Sequence, residues 1–148
     1  AGHWLCFFVT AKDPKNQNRN GKPIRLVLWI MPVLSNVCGA IMYALALGVQ
    51  VSVSGIMIAA LGLMFVAIGN YLPKCRQNYT IGIRIPWALN SEENWNRTHR
   101  LSAWIFVLGG VAMIFNAFLL SEALLFLVIF ALLFIPCGYS FLLYKKGI

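Results

Sequence analysis

The chain is poor in acid. Of 148 residues only Asp13, Glu92, Glu93 and Glu122 carry a carboxylate, and charged residues of both signs make up 11% of the total. A soluble domain of ordinary composition carries about 25%. No apolar run holds a carboxylate pair, which argues against a proton-coupled pump. His3 and His99 are the only histidines, and their spacing offers no metal set. The four cysteines, Cys6, Cys38, Cys75 and Cys137, lack C-x-x-C spacing, so neither a disulfide framework nor a zinc site is indicated. The sequence contains no Walker-type glycine loop, no H-E-x-x-H and no serine or cysteine nucleophile beside a base. These absences make an enzyme the minority reading and require neither metal nor cofactor.

What the chain has in abundance is hydrocarbon, with 60% hydrophobic residues and a mean hydropathy of +0.76. Four apolar runs, roughly residues 24–48, 54–72, 101–119 and 123–144, each approach the ~20 residues a helix needs to cross a bilayer. The expected fold is an all-α integral membrane protein. It is a four-transmembrane-helix bundle forming one membrane domain over residues 1–148. Residues 2–9 are apolar but too short to span, and read as part of a further N-terminal helix or as an interfacial segment. The chain is accordingly expected to be the C-terminal part of a longer protein. Its start lacks a basic segment and a small-residue cleavage site, which argues against a signal peptide.

The net charge of +8 would point to nucleic acid in a soluble protein, but its distribution points to a membrane. Lys12, Lys15, Arg19, Lys22 and Arg25 precede the first run. Lys74, Arg76, Arg84, Arg97 and Arg100 lie between the second and third, and Lys145 and Lys146 follow the fourth. With four spans all twelve cations fall on one side. By the positive-inside rule that side is the cytoplasm, so the connector between spans two and three and the C-terminus are expected there. No direct nucleic-acid partner is expected. Membrane lipids are.

Within the spans, Gly55, Gly62 and Gly69 recur every seven residues and form a smooth strip for close helix packing. Pro32 and Pro136 interrupt the first and fourth runs, where neighbours must satisfy the freed carbonyls. Asn36 lies about twelve residues into the first run, near the bilayer midplane at 1.5 Å per residue. It either bonds across helices or contacts a ligand. Asn116 in the third run poses the same choice.

The connector, residues 69–100, is too long and too aromatic for a plain turn and reads as a structured surface. Ser91 is a suitable N-cap, Glu92 and Glu93 suit the start of a helix, and Glu93 and Arg97 are spaced to pair. That helix is expected to run into the third span with Trp95, His99 and Ser102 on one face. The candidate ligand- or partner-binding set is Asn70, Asn78, Arg84, Trp87, Trp95, Thr98, His99 and Arg100, with Asn36 inside the membrane. Arginine offers a planar fork for anions, and the amides and imidazole suit a peptide backbone or a phosphate.

Several of these residues carry a resemblance. The run Gly69-Asn-Tyr-Leu-Pro-Lys74, then Asn78, Ile81-Gly-Ile-Arg-Ile-Pro-Trp87, Ser91, Trp95 and Thr98-His-Arg100, resembles the signature of the SdpI family of bacterial membrane proteins. The resemblance implies a bacterial plasma-membrane immunity and signalling protein. Such a protein would guard against a secreted antimicrobial peptide toxin and, as in the family's founding member, would also signal by holding a cytoplasmic repressor at the membrane. The alternatives are a small transporter or flippase of peptides or lipids, using Asn36 and Asn116, and a membrane enzyme acting on a lipid head group through Arg84 and His99.

Overall fold

The computed structural model describes the backbone of residues 21–77 and 82–148, and side chains from residue 29 onward. The partial helix expected over residues 2–9 therefore lies outside the described residues, as does Asn78. Among the described residues five α-helices follow one another: α1 (Gly21–Ala46), α2 (Val53–Tyr71), the short α3 (Pro86–Asn90), α4 (Glu92–Leu119) and α5 (Glu122–Lys145). A 3-10 turn, Leu72–Lys74, extends α2. The described residues contain no strand, and four helices are long and apolar enough to cross a membrane. The third of these begins at Glu92, nine residues before the apolar run at 101, because Ser91 caps it and accepts the Asn94 N–H at 3.2 Å.

The core is built on α4. On one side it meets α2 through the glycine strip. A Cβ added at Gly62 would stand 2.7 Å from the Gly110 carbonyl oxygen, and one added at Gly110 would stand 2.6 Å from that of Gly62. The same test places Gly69 at 2.9 Å from the Ala103 carbonyl and Gly55 at 3.0 Å from that of Ala117. The strip of α2 thus lies against a second small-residue heptad, Ala103, Gly110 and Ala117, running the opposite way. Side chains larger than these would force the two backbones apart, and with them the dispersion contacts that hold membrane helices together.

On its other side α4 packs on α5 through Met113, Val128 and Leu132, with Phe65 and Phe106 edge to face nearby, 5.7 Å between centroids. Helix α1 is peripheral. Of its described residues only Ile41 is buried, while Trp29, Met42 and Tyr43 are mostly exposed. Apolar side chains of this kind suit contact with lipid. A cavity of about 250 Å³, lined by Trp29, Val33 and Val37 of α1 and Ala60, Met64 and Ala67 of α2, separates the two helices.

The turn joining α4 to α5 is two residues long. Leu120 adopts a left-handed conformation (φ 51°), and its N–H reaches the Asn116 carbonyl at 2.7 Å. The Asn116 amide brackets Ser121, accepting its N–H at 2.9 Å and donating to its carbonyl at 3.0 Å. Ser121 then caps α5. The asparagine expected to bond across helices or line a pathway instead closes this turn.

Candidate functional site

The connector folds back onto the first three turns of α4. Five side chains there, Asn94, Trp95, Thr98, His99 and Ser102, are buried at 0–1% exposure, which polar groups tolerate only when fully bonded. Trp95 and His99, four residues apart on one helical face, stack with centroids 4.0 Å apart and planes inclined by 22°. The indole N–H of Trp95 donates to the Cys75 carbonyl at 2.9 Å, pinning the end of the 3-10 turn. His99 Nε2 accepts the Ile83 N–H at 3.0 Å, and Nδ1 lies 2.9 Å from the Trp95 carbonyl. Because Nε2 must accept, the proton belongs on Nδ1, and the ring is the neutral tautomer with both nitrogens engaged.

Glycine is required where the connector meets this ring. Gly82 has φ +112°, and a Cβ there would lie 2.5 Å from His99 Nε2 and 3.0 Å from the Trp95 indole. Cys75 is buried beneath the same layer. Its thiol donates to the Tyr71 carbonyl at 3.6 Å, and burial pushes its pKa up to about 11. Such a thiol is packing, not a reactive centre.

A second polar cluster ties α4 to α5. Asn94 Oδ1 accepts the Ser140 hydroxyl at 2.6 Å and that of Thr98 at 3.1 Å, while Nδ2 donates to the main-chain oxygens of Ser140 at 3.0 Å and Ile148 at 3.2 Å. Ser102 donates to the Thr98 carbonyl at 2.6 Å. Gln77 donates to the Leu89 carbonyl at 2.7 Å and fastens α3 to the start of the connector.

The expected site residues divide accordingly. Trp95, Thr98 and His99 come together in the buried layer. Arg84 is exposed, one residue beyond the Ile83 N–H that His99 receives. Trp87 is half-buried against Phe141 and Tyr144 of α5 (centroids 5.4 and 6.3 Å), and its indole N–H lacks a hydrogen-bond partner among the described residues. Asn70 and Arg100 are exposed and share a groove between α2 and α4. Asn36 stands apart from all of these. It is exposed on α1 and its amide donates to the Pro32 carbonyl of its own helix at 2.8 Å. Glu93 and Arg97 pair at 2.6 Å on the surface of α4. No three of His, Cys, Asp or Glu converge among the described residues.

Sequence reasoning passed over Asn94 and Ser140, the most fully bonded pair in the layer. The signal for Asn94 was the i, i+4 spacing to Thr98, one position from the Trp95–His99 pair. Ser140 gave none, since a lone serine in an apolar helix is unremarkable.

The layer coincides with the region of known likeness. Residues 74–140 match the SdpI/YfhL protein family. The immunity protein SdpI of Bacillus subtilis (strain 168) is 28% identical over 85 residues, which cover 57% of this chain and 41% of that protein. The match thus spans about two fifths of the relative's length. No solved structure matches. With four helices fit to cross a bilayer, the chain is a multi-pass membrane protein. From Lys74 to Ser140, through the connector, α4 and most of α5, it is similar to the SdpI/YfhL protein family.

Proposed function

We propose that this chain is an immunity protein of the bacterial plasma membrane, protecting the cell that carries it from a secreted antimicrobial peptide toxin. The connector and C-terminus lie in the cytoplasm in this reading, and their basic surface holds a cytoplasmic repressor. The observation that carries it is the coincidence of the family match with the buried Trp95–His99–Gly82 layer. The matched region spends its polar groups on fixing the shape of one face of the bundle, which suits recognition of a partner more than turnover of a substrate.

Particular atoms weigh against the rivals. Both nitrogens of His99 are engaged by main chain, leaving no imidazole edge for acid–base chemistry on a lipid head group. The amides of Asn36 and Asn116 are engaged within their own helix and turn, which supports a transport pathway poorly. Arg84, exposed beside the latched Ile83, is the residue best placed to meet a partner, with its planar fork as the recognition element.

The test is survival of a toxin-sensitive bacterium expressing the chain, challenged with the secretions of a toxin producer, with membrane abundance measured in parallel. Expression should raise survival by about tenfold or more. Arg84→Lys should lose most of that gain at equal abundance, because lysine keeps the charge without the fork. Equal killing with and without the protein, at normal membrane abundance, would sink the proposal.

A further inference from the structure

A groove of about 610 Å³ opens between the C-terminal end of α2 and the N-terminal half of α4. Its composition changes along its length. At the end of the bundle it is lined by Pro73, the amides of Asn70 and Asn96 and the guanidinium of Arg100, and deeper by Trp104 and Val107. Arg100 and Val107 are seven residues apart on α4, so the groove descends about 10 Å from its polar mouth into the apolar span.

Charge separates Arg100 from its neighbour. Arg97, one turn away, is neutralised by Glu93 at 2.6 Å, whereas Arg100 has neither a hydrogen bond nor an ion pair among the described residues. Lys74, Arg76, Arg84, Lys145 and Lys146 stand at the same end, against Glu92 and Glu93 alone among the described acids there. Trp104 is 67% exposed and forms an apolar wall to the groove. An occupant must therefore be anionic at one end and apolar over about 10 Å at the other.

We propose that this groove binds an anionic phospholipid. Its phosphate sits between Arg100, Asn70 and Asn96, and an acyl chain lies along Trp104 and Val107. The chemistry is that of a guanidinium fork and two amide donors on a phosphate. The hydrocarbon part is held by contact with the exposed indole wall of Trp104, at the depth where indoles favour the membrane interface. The assignment does not depend on the immunity reading.

The experiment is native mass spectrometry of the detergent-solubilised chain, titrated with phosphatidylglycerol and, separately, phosphatidylcholine of identical acyl chains. The first adduct of phosphatidylglycerol should form at about fivefold lower concentration or better. Arg100→Gln should erase that preference to within about twofold, and Asn70→Asp should do the same by placing a carboxylate against the phosphate. Arg97→Gln should leave it intact. Should Arg100→Gln fail to fold, Asn70→Asp decides. Equal binding of the two lipids would overturn the site. An Arg97→Gln loss as large as that of Arg100→Gln would overturn it too, since the preference would then come from diffuse basic charge. Displacement of the lipid by millimolar inorganic phosphate would show an anion site without the acyl component and equally refute the assignment.

Discussion

The two ends of α4 solve the same problem, an asparagine near a membrane boundary, with very different outlay. At the far end Asn116 closes a two-residue turn by bonding Ser121 five residues on, and the residues around it, Phe115, Phe118 and Leu119, are largely exposed. At the basic end Asn94 bonds Ser140 across 46 residues of chain and sits beneath a buried layer of Trp95, Thr98, His99 and Ser102. A turn needs only its own backbone satisfied. A surface of fixed shape needs elements distant in sequence held in register, and polar groups with few alternative partners provide that at the cost of desolvation. The difference locates the structured surface of the molecule at its basic end.

The largest expected effect is the loss of Asn94. Asn94→Leu leaves the hydroxyls of Ser140 and Thr98 and the Ser140 carbonyl without their partner in a buried site. Each such group costs about 1–3 kcal/mol, so the sum should be about 3–5 kcal/mol. In detergent the apparent melting midpoint should fall by roughly 10 °C, at about 2–4 °C per kcal/mol for a chain of this size. Asn116→Leu should cost about a third as much: Asn116 is itself fully buried, but its two bonds go to the main chain of half-buried Ser121, which water can reach. Equal losses from the two variants would erase the distinction between the ends.

How much of this was legible in the sequence follows from the range of the interactions. The four spans were, because apolar runs of bilayer length are read residue by residue. Ser91 as a cap, the Glu93–Arg97 pair and the shared face of Trp95 and His99 were too, because each is set by local helix geometry. The strip of Gly55, Gly62 and Gly69 was visible as a packing surface, but its partner was not named. Ala103, Gly110 and Ala117 carry the same period of seven, hidden because alanine in an apolar run attracts no notice. What stayed hidden altogether was the pairing of Asn94 with Ser140 and of His99 with the Ile83 N–H. Such pairings depend on which helices become neighbours and where the connector returns, and no local pattern encodes that. Asn36 and Asn116 show the converse error, since isolation in an apolar run suggested a remote partner and each found one within five residues.

A smaller effect is expected where the connector docks. Gly82→Ala places a methyl 2.5 Å from His99 Nε2 in a backbone region that alanine resists, so the Gly82–Ile83 segment should lift and Trp95 lose its fixed stacking. The cost is about 2–3 kcal/mol and local. Cys75 reports it. With the other cysteines replaced, its buried thiol, with pKa near 11, should be only about one part in a thousand ionised at pH 8. Alkylation should therefore be slow and should quicken about tenfold per pH unit up to about pH 11. In Gly82→Ala the thiol is freed towards its ordinary pKa, so labelling at pH 8 should be at least about tenfold faster and level off nearer pH 9. An unchanged pH profile would mean that the connector does not depend on this contact, and the basic end would then be looser than its buried layer suggests.

The smallest effect belongs to the far end and should be a gain. Leu120 holds a left-handed conformation (φ 51°, ψ 33°) that costs a β-carbon about 1–2 kcal/mol and that glycine adopts freely. Its side chain is about half exposed, so little packing is lost when it is removed. Part of the relief is offset by the greater freedom of glycine in the unfolded chain, worth about 0.4–1 kcal/mol. Leu120→Gly should therefore raise the melting midpoint by roughly 1–3 °C, while leaving phospholipid preference and toxin protection unchanged. A fall of several degrees would show that the leucine side chain, and not the Asn116 bracket, holds the turn. The far end would then rest on side-chain packing as the basic end does, and the contrast between them would reduce to a difference of degree.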